Sequence, residues 1–462
     1  MTDLVVRGGT VVGASGSIVA DVAVRHGQIS AVGPGLPVNG VRTIDASGLL
    51  VLPGVVDVHT HTRLATDAEP DRFFQDSVAA AFGGTTTFLS FNNPGTGISE
   101  AGSRSLLAGL HEWRRRTDGD SAIDYGLSGV ITAGQERVLH EIPRLVEAGV
   151  PTFKAFMVYD FGIGLDVIRA VMEPARDAGG MLQLHCEDRG MLESAVAQLF
   201  GAGSTRPAHH ADSRPPMVEA AGTECAVALA RELRAPMYAV HVSCMAALEH
   251  VAAARRAGLP VYAETCPHFL ALDASRYGSP DQEAIRYVIS PPLRSPADRD
   301  ALWQGLAEGS LDVVATDHVP DRLAVEKRYV GQPFTEISNG APGIETLLSV
   351  VYSAGVASGR ITLERMVDVV STTPARLFGL AGKGAIEVGR DADVVLFDPS
   401  IRRTILAADL HHTSDYTPYE GMSVNGAIRT VLVRGRDVIR DGRFVGTRGF
   451  GRFQPRAIDW SQ

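Results

Sequence analysis

The chain has 462 residues, of which 45% are hydrophobic and 21% charged, with a formal net charge of -10. That balance is ordinary for a globular protein, and its acidity argues against nucleic acid or an anionic membrane as the main partner. No apolar run approaches the roughly 20 residues of a bilayer span. The opening Met1-Thr2-Asp3-Leu4 has no basic stretch leading into an apolar one, so a cytoplasmic location is expected. Cys186, Cys225, Cys244 and Cys266 contain no C-x-x-C pair and read as reduced thiols. The length exceeds one typical core, so one large domain with a smaller companion is expected.

Residues 4–52 read as short antiparallel strands: runs at 4–12, 20–24 and 42–45 are β-branched or alternating, with Asp and Gly between them. The same texture returns at 391–398 and 430–435. Two β segments, each too small to close a core, combine most simply into one small β-sandwich built from 1–54 and 385–462. The insertion, 55–384, alternates strands expected at 55–59, 85–92, 123–131, 152–158, 181–185, 237–242, 261–265 and 312–316 with helical stretches. The helices are expected at 71–82, 135–148, 165–177, 218–233, 246–257 and 296–306. Eight strand–helix repeats favour a (β/α)8 TIM barrel, an α/β fold, over a doubly wound sheet.

In such a barrel chemistry collects at the C-terminal ends of the strands. Strand one follows the breaker Leu52-Pro53-Gly54 and ends in His59-Thr60-His61, two imidazoles on one face. Alone, a His-x-His is more often two polar residues than a site. Strand five, however, ends in His185, strand six in His241 and strand eight in Asp317-His318, and this convergence favours a metal site. Strand four places Lys154 among apolar residues. A buried ammonium is costly unless paired or neutralised, and pairing with a rim carboxylate suffices if no metal is present. Beside metals, a neutral amine condensed with carbon dioxide gives a carbamate able to bridge two ions. Four histidines, one aspartate and that bridge suffice for two metals about 3.5–4 Å apart.

The motifs Asp57-Val58-His59-Thr60-His61, Phe153-Lys154-Ala155-Phe156-Met157-Val158-Tyr159, His185-Cys186-Glu187, Arg214-Pro215-Pro216, Val240-His241-Val242-Ser243, Ser290-Pro291-Pro292-Leu293-Arg294, Thr316-Asp317-His318 and Asn339-Gly340-Ala341-Pro342-Gly343 extend over most of the chain. Together they resemble the amidohydrolase superfamily, and within it the cyclic amidases of the dihydropyrimidinase and hydantoinase branch. The resemblance implies that His59, His61 and Asp317 hold the more buried ion, His185 and His241 the more exposed one, and carboxylated Lys154 bridges them. Zinc suits these donors best, with manganese and cobalt as alternatives. It further implies hydrolytic opening of a hydantoin or dihydropyrimidine ring. In that reaction Asp317 is base and then acid, Tyr159 donates to the oxyanion, and Ser290 and Asn339 hold the ring edge, largely through backbone groups. Relatives in this branch commonly form tetramers, so a homo-oligomer (tetramer or dimer) is expected.

Two features depart from that pattern. Arg63, in His59-Thr60-His61-Thr62-Arg63, and Asn92-Asn93-Pro94 resemble dihydroorotase. There, an arginine and an asparagine hold a substrate carboxylate, which keeps an allantoinase- or dihydroorotase-like use of Arg63 and Asn93 as the alternative. The Glu-Pro-Gly usual after that arginine is replaced here by Leu64-Ala65-Thr66, and a solvated or loop-bridging Arg63 is the plainer reading. A metal-free scaffold relative is the remaining reading, and the presence of all six candidate ligands weighs against it. His318 is expected to orient the site, His268 to be structural, His209 and His210 to be solvated, and Cys186 and Cys244 to pack as small apolar residues. The tail at 449–456 is expected either to fray or to reach across a subunit boundary.

Overall fold

The computed structural model describes residues 2–91 and 105–461. The middle of the chain forms eight parallel strands, β1 (Val55–Thr60), β2 (Thr85–Phe91), β3 (Asp124–Val130), β4 (Thr152–Phe156), β5 (Met181–His185), β6 (Met237–Ala239), β7 (Val261–Thr265) and β8 (Val313–Val314). They pair in chain order with helices outside them, a nearly closed (β/α)8 barrel. Closure between β8 and β1 rests on one bridge, Thr60 to His318, and on His61 N–H donating to His318 O at 2.8 Å. Among the described residues no helix is long and apolar enough to cross a membrane.

Strands β6 and β8 are shorter than the expected 237–242 and 312–316. His241 (φ 41°) and Asp317 (φ 49°) adopt left-handed backbone just beyond them, which ends the ladders and turns these side chains onto the rim. The helix expected at 135–148 divides into a 3₁₀ turn, Glu136–Glu141, and the α-helix Ile142–Glu147, because Pro143 removes an N–H donor and is tolerated only in a first turn. The expected helices at 71–82, 165–177, 218–233, 246–257 and 296–306 form within two residues of those bounds. Helices also form at Leu106–Thr117 and Arg189–Gly201; the second buries only Leu192 and so carries no apolar stripe.

Strands Leu4–Gly13, Gly16–Arg25, Gln28–Gly33, Arg42–Asp45 and Leu50–Pro53 join Val394–Thr404, Ser423–Val433, Arg436–Arg440 and Arg443–Phe444 in one mixed nine-stranded sheet. Leu50–Pro53 is its seam, parallel to Leu4–Gly13 and antiparallel to Val394–Thr404. It runs through Gly54 directly into β1. A Cβ at Gly54 would lie 2.0 Å from the Thr86 hydroxyl oxygen on β2, so only glycine lets the sheet feed the barrel there. The tail is ordered under its own barrel. Tyr125 N–H donates to Arg452 O at 3.0 Å, Gln454 N–H to Tyr125 O at 2.7 Å, and the buried Arg456 guanidinium to Phe378 O at 3.2 Å.

Sheet and barrel are also tied by charge. Lys383 Nζ, buried, lies 2.6 Å from Asp124 on β3 and 2.9 Å from both Asp391 and Asp393. Burial alone would lower its pKa, but the charges of Asp393, Asp124 and Asp391 outweigh it and raise the value. A raised lysine pKa contributes stability that is intact at neutral pH and is lost only as pH climbs above the ordinary lysine value. Lys383→Met strips buried Asp393 of its cation while Asp124 keeps Arg434, so the thermal midpoint should fall by the equivalent of about 3–5 kcal/mol at neutral pH, and by less in acid where the carboxyls protonate.

Candidate metal centre

His59 and His61 leave β1 on the face that meets the turn after β8. His59 Nε2 lies 2.9 Å and His61 Nε2 3.2 Å from Asp317 Oδ1, and donor atoms of the three residues all fall within 4.8 Å of one another. Burial would raise the Asp317 pKa, but the charge and hydrogen bonds of His59 and His61 hold it well below the usual carboxylate range. The other ring nitrogen of His59, Nδ1, is hydrogen-bonded to Glu264 on β7. Glu264 also accepts from Tyr238 Oη at 2.9 Å and from His241 N–H at 3.2 Å. A buried carboxylate behind an imidazole sets its tautomer and turns the far lone pair towards the site. The sequence reading missed Glu264, although its signal resembled that of Lys154, one ionisable residue in an apolar strand.

The second pair faces across the same space. His185 Nδ1 lies 2.9 Å from His241 Nε2, and His185 Nε2 lies 2.6 Å from Glu187. Burial pushes the Glu187 carboxyl up, but the charge of Arg214, which donates to it, and the His185 hydrogen bond bring it down to about 2. Lys154 Nζ lies 3.4 Å from His59 Nε2 and 5.0 and 4.9 Å from the centroids of Phe91 and Phe156. Among the described residues no ion pair holds it. Burial drives its pKa down to about 8 against the opposing charges of Asp317 and Glu264. The amine is therefore partly neutral in mildly alkaline solution.

Above these donors opens a cavity of about 260 Å³. It is lined by His61, Lys154, His185, His241 and Asp317, and also by Tyr159, Ser290 and Asn339, so every candidate site residue except the fully buried His59 borders it. Tyr159 has left-handed backbone (φ 72°) and its ring stacks on Phe161. Burial pushes its pKa up to about 12, so it stays protonated as a donor. Ser290 Oγ donates to Asn339 Oδ1 at 2.7 Å.

The remaining candidates divide. His318 accepts from Gly343 N–H through Nδ1 at 3.2 Å while its carbonyl holds His61 N–H, the orienting part expected of it. His268 is buried beside Phe269, and Cys186 and Cys244 are buried. His210, expected to be solvated, is buried instead, donating from Nε2 to Ile289 O at 2.8 Å; the short helix His210–Ser213 turns its ring inward and leaves His209 outside. Arg63 bridges loops, pairing with Glu326 at 2.8 Å and with Asp321. Asn93 lies outside the described residues.

Over residues 50–438 the chain matches the amidohydrolase family, to which it belongs. Within that family its likeness is to enzymes that open cyclic amides. It is 38% identical to the D-hydantoinase of Geobacillus stearothermophilus, over 99% of this chain and 97% of that protein. It is 39% identical to the D-hydantoinase of Streptomyces coelicolor, over 98% of each. Among solved structures, dihydropyrimidinase from Brevibacillus agri superposes with a TM-score of 0.93 at 38% identity, covering 99% of both chains.

Glu264→Gln keeps every candidate donor but weakens the hold on the His59 ring. Affinity for a divalent ion at the His59, His61 and Asp317 group should drop about 10–100-fold, read by competition with a chromophoric chelator.

Proposed function

We propose that this chain hydrolyses the ring amide of a hydantoin or dihydropyrimidine, opening the ring to an acid. The observation that carries this reading is the convergence of His59, His61, Lys154, His185, His241 and Asp317 around one cavity, in a chain similar end to end to D-hydantoinases.

The donor set fits two divalent ions. His59, His61 and Asp317 would hold one; His185 and His241, whose facing nitrogens are 2.9 Å apart, would hold the other. Lys154, carboxylated by carbon dioxide, would join them, and its lack of an ion pair among the described residues supports this. Mixed imidazole and carboxylate donors suit zinc, while manganese and cobalt accept the same atoms. When bound, the ions supply Lewis acidity that polarises a carbonyl and lowers the pKa of water.

The chain's own residues do the rest. Asp317 takes the proton of the attacking water and returns it to the departing ring nitrogen. Tyr159, kept protonated, donates to the carbonyl oxygen as that atom gains charge. Ser290 and Asn339, joined to each other, present the wall against which the ring's amide edge lies. Phe156 and Phe161 exclude water beside them. The proposal includes a cytoplasmic homo-oligomer, supported by four free cysteines and by exposed Met191, Phe200 and Met217 on outward helices.

The test is turnover of hydantoin and dihydrouracil together with metal content. Lys154→Ala should lose both metals and all activity; a metal-loaded, fully active variant would remove the bridging role. Tyr159→Phe should keep its metals and lose about 10²–10³ in kcat. Reactivation of metal-stripped protein by zinc and bicarbonate should quicken as pH rises through about 8, where the Lys154 amine becomes neutral.

A further inference from the structure

The mouth of the cavity carries a closed circuit of charges. Arg63, two residues beyond His61, donates to Glu326 at 2.8 Å and to Asp321. Arg72 donates to Glu326 at 3.0 Å and to Glu69 at 2.7 Å, and Arg322 reaches both Glu326 and Glu69. Three guanidinium groups meet three carboxylates, so the circuit is neutral while it binds the segment after β1 to the segment after β8. Of these six side chains, Arg63 borders the cavity. It is 22% exposed, whereas Asp321 is fully buried and its second carboxylate oxygen has no partner. Burial would raise the Glu326 pKa, but hydrogen bonds from Arg322 and Arg72 bring it down to about 2, so it is charged at neutral pH.

We propose that Arg63 determines specificity by being neutralised: the Asp321 and Glu326 clamp makes the site accept rings with an uncharged exocyclic substituent and reject rings bearing a carboxylate. This inference rests on the hydrolytic reading above and adds the substituent class to it. An anion approaching Arg63 meets two carboxylates already within hydrogen-bond reach of that guanidinium. Their repulsion offsets its attraction, and docking would require breaking a pair in a half-buried place where stranded charge is costly. Like charges brought together are a means of rejecting a wrong ligand. An uncharged substituent meets no such cost and finds Phe156, Phe161 and Val319 on the cavity wall. Were one carboxylate removed, the same planar guanidinium would be a strong carboxylate donor.

The experiment compares kcat/KM of the metal-loaded enzyme for hydantoin-5-acetamide and for hydantoin-5-acetate. Wild type should favour the acetamide by about tenfold or more. Glu326→Gln should move that ratio about tenfold towards the acetate, the shift should shrink in about 0.5 M salt, and adding Arg63→Gln should abolish it. Asp321→Asn should move the ratio in the same direction and stands in if Glu326→Gln does not fold. A wild-type preference for the acetate, or a ratio unmoved in both single variants, would overturn the inference. Should wild type open neither ring, the hydrolytic reading fails instead. The inference is then judged by calorimetric affinities of the two rings, with the same order expected.

Discussion

A buried carboxylate, Asp57, holds the first and last barrel strands together at the level of the candidate metal donors. It accepts from Thr316 N–H at 3.1 Å and Thr316 Oγ1 at 2.5 Å, and from His59 N–H at 3.3 Å. Strand β8 has only two residues in its ladder, so these contacts, with His61 N–H to His318 O, replace the backbone pairing that would otherwise close the barrel. His59 ends one strand with His61 just past it, and Asp317 lies in the turn after the other. Their approach therefore depends on this seam. Burial raises the Asp57 pKa to about 6 despite the Thr316 hydrogen bonds, a cost that the closure of the barrel offsets.

The donors are backed by a second layer of charge. Glu264 stands behind His59, and Glu187 behind His185. Glu187 is held in turn by Arg214, whose guanidinium also lies 5.5 Å over the Tyr159 ring. Arg294 completes the layer through Glu219, Ser243 and the Arg214 carbonyl. His59 and His185 are thus fixed from their far sides, which keeps the opposite nitrogen of each ring aimed inward before anything binds. At the mouth the same device is used differently: Arg63 is held by carboxylates so that its charge does not face the cavity uncompensated.

Much of the fold was legible because strand and helix alternate with clear punctuation, and every candidate ligand except Lys154 sits at or just beyond a strand end, where a barrel concentrates its chemistry. What escaped was residues whose role arises between elements. Glu264 stands out as one ionisable residue in an apolar strand, but it has no role until β7 is placed behind His59. His210 looks solvated in a polar loop until a short helix turns it under Ile289. The tail at 449–456 gave no local sign that Arg456 would dock beneath its own barrel. The strand ends at β6 and β8 were misjudged because left-handed backbone at His241 and Asp317 has no signature in a non-glycine residue.

Sequence alone determined the order of elements, the set of candidate donors and the chemistry those donors suit, because residue type and periodicity are local properties. The tertiary structure decided which donors face each other, that Lys154 lies buried beside His59 with no ion pair among the described residues, and that Arg63 is spent on Asp321 and Glu326. These depend on contacts between residues up to 263 positions apart, as Arg63 and Glu326 are. No local pattern carries such pairings; they follow from barrel closure, which brings the segments after β1 and β8 side by side.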